Sequence, residues 1–198
     1  MYHTGMTGRT HDTAALTALL VVVILYPPDQ ISTATALAAF LANQVGGIAP
    51  DIDQPTAPLW RNLPVAGLFG RTMSRLLGGH RFLTHSLLGL WLIGLFSRWI
   101  LDILAPSLGS INTDFVWWAF MIGALSHLVM DSFTREGVPW LLPVPVKFGF
   151  PPLRSLRLVT GGWLENLVVF PGLLVVNTAL CAQYYPQVSS FLQTHVKP

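Results

Sequence analysis

Five apolar stretches, at about residues 14–26, 31–49, 86–104, 115–130 and 166–182, restrict this chain's fold more than any motif in it. In hydrocarbon, every backbone N–H and C=O must find a partner within the protein, which leaves helices and closed barrels as the structures able to cross a bilayer. A helical crossing takes about 17 to 25 residues. The second and third stretches fit that length best, and the first and fourth must draw on flanking residues. Composition agrees: 10% of residues are charged and 52% hydrophobic, with a mean hydropathy of +0.55, where soluble domains carry about 25% charged residues. The expected fold is an all-α membrane protein, a bundle of four to five transmembrane helices in a single domain over residues 1–198.

Pro27, Pro28 and Asp29 break the first two stretches, and residues 106–114 break the third and fourth. Two hairpins and a final helix follow. The short turns carry no Lys or Arg, whereas Arg9, Arg61, Arg71, Arg75, Arg81, Arg135, Lys147, Arg154 and Arg157 collect on the side of the N-terminus. The positive-inside rule therefore predicts an N-in, C-out topology, with the two long loops, 51–85 and 131–165, facing the cytoplasm. Arg98 stands four residues before Asp102 within a span, a spacing that pairs them on one helical face. The polar N-terminus has no Ala-x-Ala site after it, so no cleaved signal peptide is expected. In the first loop Leu68, Phe69, Met73, Leu76 and Leu77 interleave with Arg71 and Arg75. Such a pattern fits a short amphipathic helix in the headgroup region or an ordinary buried loop helix. The proline-rich second loop reads as an irregular hairpin capping whatever site lies beneath it.

Cys181 is the single cysteine, so any metal must be held by His and carboxylate. His127 and Asp131 are four apart at the end of a helical stretch and project from one face. Alone, the pair reads as a metal chelate or as a buried His hydrogen-bonded to Asp; within a span, ionisable groups point to function. Asp51 and Asp53 flank Ile52 in GGIAPDIDQP. Two carboxylates that close attract a cation, though Asp beside proline is also ordinary turn chemistry. His80 and His85 are five apart, about 140° around an ideal helix, so both face one ion only where Gly78 and Gly79 let the chain depart from helix. Thr84 or Ser86 would cap the third span. Arg81 would hold a phosphate by bidentate hydrogen bonds or snorkel to the interface. His11 and Glu165 are weak individually and gain weight from lying at the same predicted depth. His3 and His195 lack such company, and His195 falls on the opposite side.

The set mixes imidazole and carboxylate without thiolate, which suits Zn, Mn or Fe. Seven or eight ligands exceed one tetrahedral zinc, so two divalent ions are expected, an arrangement able to bind a phosphoester and activate water. A site at the headgroup plane would meet membrane lipids and lipid-linked phosphoesters, and nucleic acid fits poorly there.

PDID, GHRFLTHS and SHLVMDSFTREGVPWLLPVP resemble the motifs of the YdjM family of LexA-binding, inner membrane-associated, metal-dependent hydrolases, over about residues 8–165. The resemblance implies metal ligands at His11, Asp51, Asp53, His80, His85, His127, Asp131 and Glu165, in a bacterial inner membrane. It also implies distant similarity to zinc-dependent phospholipase C and single-strand nucleases. Gln54 and Phe82 depart from the pattern at positions where His and Gly are usual. Expected catalytic roles fall to Asp53, Arg81 and Glu165. The rival reading is a non-catalytic membrane protein whose metal site braces the fold or docks a soluble protein partner.

Overall fold

The computed structural model describes residues 6–28, 31–54, 72, 81–144 and 146–195. His80 and the stretch from Leu68 to Leu77, apart from residue 72, lie outside them. Five α-helices make up the described structure: α1 (Gly8–Leu25), α2 (Thr33–Ile48), α3 (Leu87–Leu108), α4 (Thr113–Ser132) and α5 (Phe170–His195). A 3-10 turn, Ala49–Asp53, prolongs α2, and a π-helical turn, Glu165–Val169, leads into α5. Among the described residues β-structure is limited to two isolated bridges, Thr134 with Leu158 and Val138 with Phe148. The second of these is antiparallel and closes residues 138–148 of the second long loop into an irregular hairpin, while the first is parallel.

Among the described residues four helical segments are long and apolar enough to cross a membrane: Gly8–Leu25, Leu87–Leu108, Thr113–Ser132 and Glu165–Pro186. The first and fourth stretches do lengthen into their polar flanks, α1 back to Gly8 and α4 from Thr113 to Ser132. The second does not behave as expected. α2 has 16 residues, or about 24 Å, short of a hydrocarbon core of about 30 Å. Pro50 at the start of the 3-10 turn ends its α-helical pairing. The third stretch runs through Pro106 and stops at Gly109, whose φ of +60° suits a residue without Cβ.

Local chemistry sets the helix starts. Ser32, Ser86 and Asn112 accept hydrogen bonds from the backbone N–H of Thr35, Gly89 and Phe115, so α2, α3 and α4 each begin on a polar cap. Ser86, not Thr84, is thus the cap of the third span. Arg98 pairs with Asp102 at 3.0 Å as its spacing predicts, and also with Asp114 of α4.

α2 lies against α1 and α4, and its seam with α4 is built from small residues. Ala39, Asn43, Gly46 and Gly47 are buried opposite Val116, Ala119 and Gly123. Asn43 Nδ2 donates to the Ala119 carbonyl at 3.1 Å. A Cβ at Gly46 would sit 2.0 Å from the Phe120 oxygen, and one at Gly123 would sit 2.1 Å from the Asn43 oxygen. Small residues permit such backbone approach between helices in apolar surroundings, where packing substitutes for the hydrophobic drive. Leu19, Ala39, Val116 and Ala119 form the apolar core at this crossing. Outward, α3 and α5 expose Trp91, Leu95, Phe96, Trp99, Leu174 and Val175, while His11, Asn43, Asp53, His85 and His127 are buried. Exposed apolar faces around a polar interior are those of a protein whose solvent is lipid.

Candidate metal centre

The α2–α4 seam brings the C-terminal end of α2 beside the last turns of α4, and α1 starts at the same end of the bundle. His127 and Asp131, at i and i+4, turn inward from α4 and are buried. His11 comes from the second turn of α1, and its ring stacks on His127 with centroids 3.8 Å apart. His85 enters from the loop that precedes α3, edge-on to His127 at 5.2 Å. Asp51 reaches in from the 3-10 turn after α2.

His85 Nε2 lies 3.5 Å from Asp51 Oδ1 and 3.4 Å from Asp131 Oδ2. His127 Nε2 lies 3.6 and 3.7 Å from the same two oxygens. These spacings are long for hydrogen bonds. They lie within or just beyond the edge of about 3.3 to 3.6 Å of a tetrahedron with zinc bonds of about 2.0 to 2.2 Å. On the other side of the Asp131 carboxylate, His11 Nε2 is 3.4 Å from Oδ1. Two overlapping groups therefore could hold an ion, His11–His127–Asp131 and Asp51–His85–His127, each with ligand atoms within 4.8 Å of one another. They share His127, and the two oxygens of Asp131 face one group each.

The fit can be tested on the buried atoms. His11 Nε2, His127 Nε2 and Asp131 Oδ2 are buried without a hydrogen-bond partner among the described residues, a costly state for polar atoms that a shared cation would relieve. His127 Nδ1 lies 2.6 Å from the Gly47 carbonyl. Donation of its N–H there leaves the Nε2 lone pair facing the cluster, the usual outer-shell arrangement for a ligating imidazole. Imidazole and carboxylate donors fit a divalent transition ion.

Charge tells the same story. Burial works against a protonated His85, but Asp131, Asp51 and Asp53 around it prevail and hold its pKa up to about 10. Burial would raise the Asp51 carboxyl, but His127 and His85 hold it well below the usual carboxylate range. The cluster is an anionic well that attracts positive charge, whether proton or metal.

Three of the expected site residues are placed otherwise. Asp51 and Asp53 do not point the same way, because the 3-10 turn carries residues i and i+2 about 240° apart, at three residues per turn. Asp53 is fully buried behind the cluster. Its Oδ2 accepts from Arg81 N at 3.1 Å and from Thr84 Oγ1 at 2.5 Å, and Thr84 Oγ1 is 3.0 Å from His85 Nδ1. Asp53 thus orients His85. Arg81 does not face an open phosphate pocket: it is 1% exposed, with Nη2 2.6 Å from Asp131 Oδ1 and Nη1 2.8 Å from Thr134 Oγ1. Its φ of +58°, uncommon for a residue with a side chain, lets one residue grip Asp53 through its backbone and Asp131 through its guanidinium.

Glu165 lies in neither group. Its Oε1 accepts from Thr7 N, Thr7 Oγ1 and Thr10 Oγ1 at 2.7, 2.7 and 2.8 Å, and its Oε2 accepts from Gly161 N at 2.7 Å. The carboxylate clasps the start of α1, one residue from His11, to the start of the last helix. Glu165→Gln turns an amide N–H against one of these donors and should cost about 1 to 3 kcal/mol of stability with metal content unchanged. Thermal melting beside metal analysis checks this; lost metal with an unchanged melt would make Glu165 a ligand after all. The Gly47 carbonyl, Thr84 and Thr134 complete the set, and the sequence marks them only as neighbours of its ligand motifs.

No solved structure matches the chain. Among curated proteins, it is similar to the uncharacterized protein YvsG of Bacillus subtilis (strain 168), 27% identical over 180 residues that cover 91% of this chain and 95% of that protein. It is also similar to the inner membrane protein YdjM of Escherichia coli (strain K12) and to that of Shigella flexneri. Each is 33% identical over 126 residues, covering 61% of this chain and 56% of the relative. The match therefore spans little more than half the length of the YdjM proteins. The family model described as YdjM inner membrane protein matches residues 6–189, a range that holds all five helices' starts and every ligand discussed above. With four segments fit to cross a bilayer and a buried His/Asp cluster, the chain belongs to the YdjM family of inner membrane proteins.

Proposed function

We propose that this protein is a membrane-bound, metal-dependent hydrolase of phosphoester bonds in a lipid or lipid-linked substrate, using two divalent ions, with zinc the best match to the donors. One observation carries the reading: Nε2 of His85 and of His127 each stand 3.4 to 3.7 Å from single oxygens of Asp51 and Asp131, with His11 across the same Asp131 carboxylate. A bound divalent ion would supply Lewis acidity to a phosphoryl oxygen and make a water molecule more acidic.

The chain's own residues then divide the work. His11, His85, His127, Asp51 and Asp131 hold the ions. Gly47 and Asp53 with Thr84 set the imidazole orientations. Arg81 positions Asp131 and offsets part of its charge. Asp51, 23% exposed where its partners are buried, marks the side from which substrate enters. The distribution of Lys and Arg supports reading that side as the cytoplasmic headgroup layer.

The burial of four of the five ligands favours one rival, a non-catalytic metal brace that presents its face to a soluble protein. Both readings predict bound metal, and turnover separates them. Purified protein supplied with Zn or Mn should release product from a phosphoester or phospholipid panel, and Asp51→Asn should lower the rate by about 100-fold or more. Stoichiometric metal without release from any lipid or soluble phosphoester would leave the brace.

A further inference from the structure

Two apolar cavities lie along the crossing of α1 and α4. The first, of about 350 Å³, is walled by Ala14, Ala18 and Val22 of α1, by Leu125 and Met130 of α4 and by Leu173 of α5. The second, of about 240 Å³, shares Val22 and Ile122 with the first and runs on to Tyr26 and Phe115. Together they follow α1 from residue 14 to residue 26, about 18 Å at 1.5 Å per residue. Half of a hydrocarbon core of about 30 Å is about 15 Å, so the groove has the length of one leaflet's chain.

The walls of the first cavity are nearly all apolar, whereas Tyr26 and Trp118 bring a hydroxyl and an indole N–H to the second. Thr17 and Ser126 are the hydroxyl residues in the first cavity, and each donates back to its own helix, to the Thr13 and Gly123 carbonyls, both at 2.8 Å. Position along the helices bears on what the groove is for. Ala14 is one turn beyond His11, Ser126 adjoins His127 and Met130 adjoins Asp131, so one end of the groove lies level with the metal centre of the proposed hydrolase, and the groove leads away from that level into the apolar depth. Charge complementarity completes the match: an anionic head at a metal-loaded centre continues into a hydrocarbon tail.

From this we infer that the α1–α4 groove is the tail subsite for a single long hydrocarbon chain of a phosphate-bearing lipid, seated with its phosphate at the metal centre. The inference rests on the hydrolase reading for the head end alone; the tail subsite is a binding claim with its own readout.

The test uses full-length protein in detergent with a substoichiometric phosphatidic acid carrying a diazirine in mid-chain. After irradiation, adducts are located by peptide mass spectrometry. The expected adducts fall on α1 and α4 beside the groove, and Ala18→Trp, which fills it, lowers them about ten-fold. Leu95→Trp, on the exposed face of α3, leaves them unchanged. Unlabelled phosphatidic acid and a polyprenyl phosphate are then added in turn. Protection by either supports the subsite and names its source, and protection by neither overturns it. Adducts spread evenly over all exposed apolar faces, or unmoved by Ala18→Trp, also overturn it. Metal content of Ala18→Trp reports its folding, and Leu125→Trp, at an exposed groove wall, repeats the test should the first variant lose its metal. Groove labelling without turnover sinks the hydrolase and spares the subsite; turnover without groove labelling does the reverse.

Discussion

Purified His127→Ala protein is expected to carry almost no bound metal. His127 belongs to both ligand groups, so its removal strips a donor from each possible ion position at once. It also leaves the Gly47 carbonyl without the imidazole that sits 2.6 Å away. Loss of an outer-shell partner alone costs about 10- to 100-fold in metal affinity, so loss of a shared ligand should exceed about 100-fold. Elemental analysis of detergent-purified protein reads the result directly. Equal metal content in variant and parent would remove His127 from the site and dismantle the tetrahedral reading built around it. Thr84→Val should act through the same logic at smaller scale, since it cuts the link from Asp53 to His85 Nδ1. A loss of about ten-fold in affinity is expected.

Gly123→Leu should cost the protein its fold and its metal together. Even the first carbon of the new side chain would lie 2.1 Å from the Asn43 oxygen and 2.9 Å from the Gly47 nitrogen. The obstruction is backbone, which cannot rotate aside as a side chain can. Overpacking in a well-filled interior typically costs about 1 to 3 kcal/mol, and a clash with two backbone atoms falls at or beyond the upper end. Displacing α2 also moves Gly47 away from His127 and carries Asp51 with it. Thermal melting and metal content should therefore fall in step. Gly172→Ala, whose added carbon meets nothing within 4 Å, serves as the matched control and should melt like the parent. A Gly123→Leu protein with parental melting and full metal would show that the seam tolerates separation and does not position the site.

The residues whose signal is local were legible from sequence. His127 and Asp131 needed only the helical period, and the structure places both on the inner face of α4. The helices themselves follow from apolar length, because lipid leaves few alternatives for the backbone. What escaped were features set by the third dimension. Asp51 and Asp53 look equivalent in sequence, yet a 3-10 turn sends one to the imidazoles and the other to the loop that carries Arg81 and Thr84. Arg81 reads as a free cation until the fold sets Asp131 against it. α2 reads as one of the best spans by apolar length, but its helical part is 16 residues. Its Gly46, a poor helix former by propensity, is what lets α4 approach. Glu165 was grouped with the ligands by predicted depth; depth alone cannot distinguish an inward carboxylate from one occupied by Thr7, Thr10 and Gly161.

The dispersion of the ligands along the chain has a consequence for biosynthesis. His11, Asp51, His85, His127 and Asp131 belong to segments that leave the ribosome in that order, and domains assemble as their parts become available. No ion can be held by the full set before α4 has been inserted against α2. Until then Asp51 lacks the His127 imidazole that stands beside it in the finished fold. Under the proposed function, loading with metal would be a late event in the life of each molecule, and its rate would report when insertion of the fourth helix is complete.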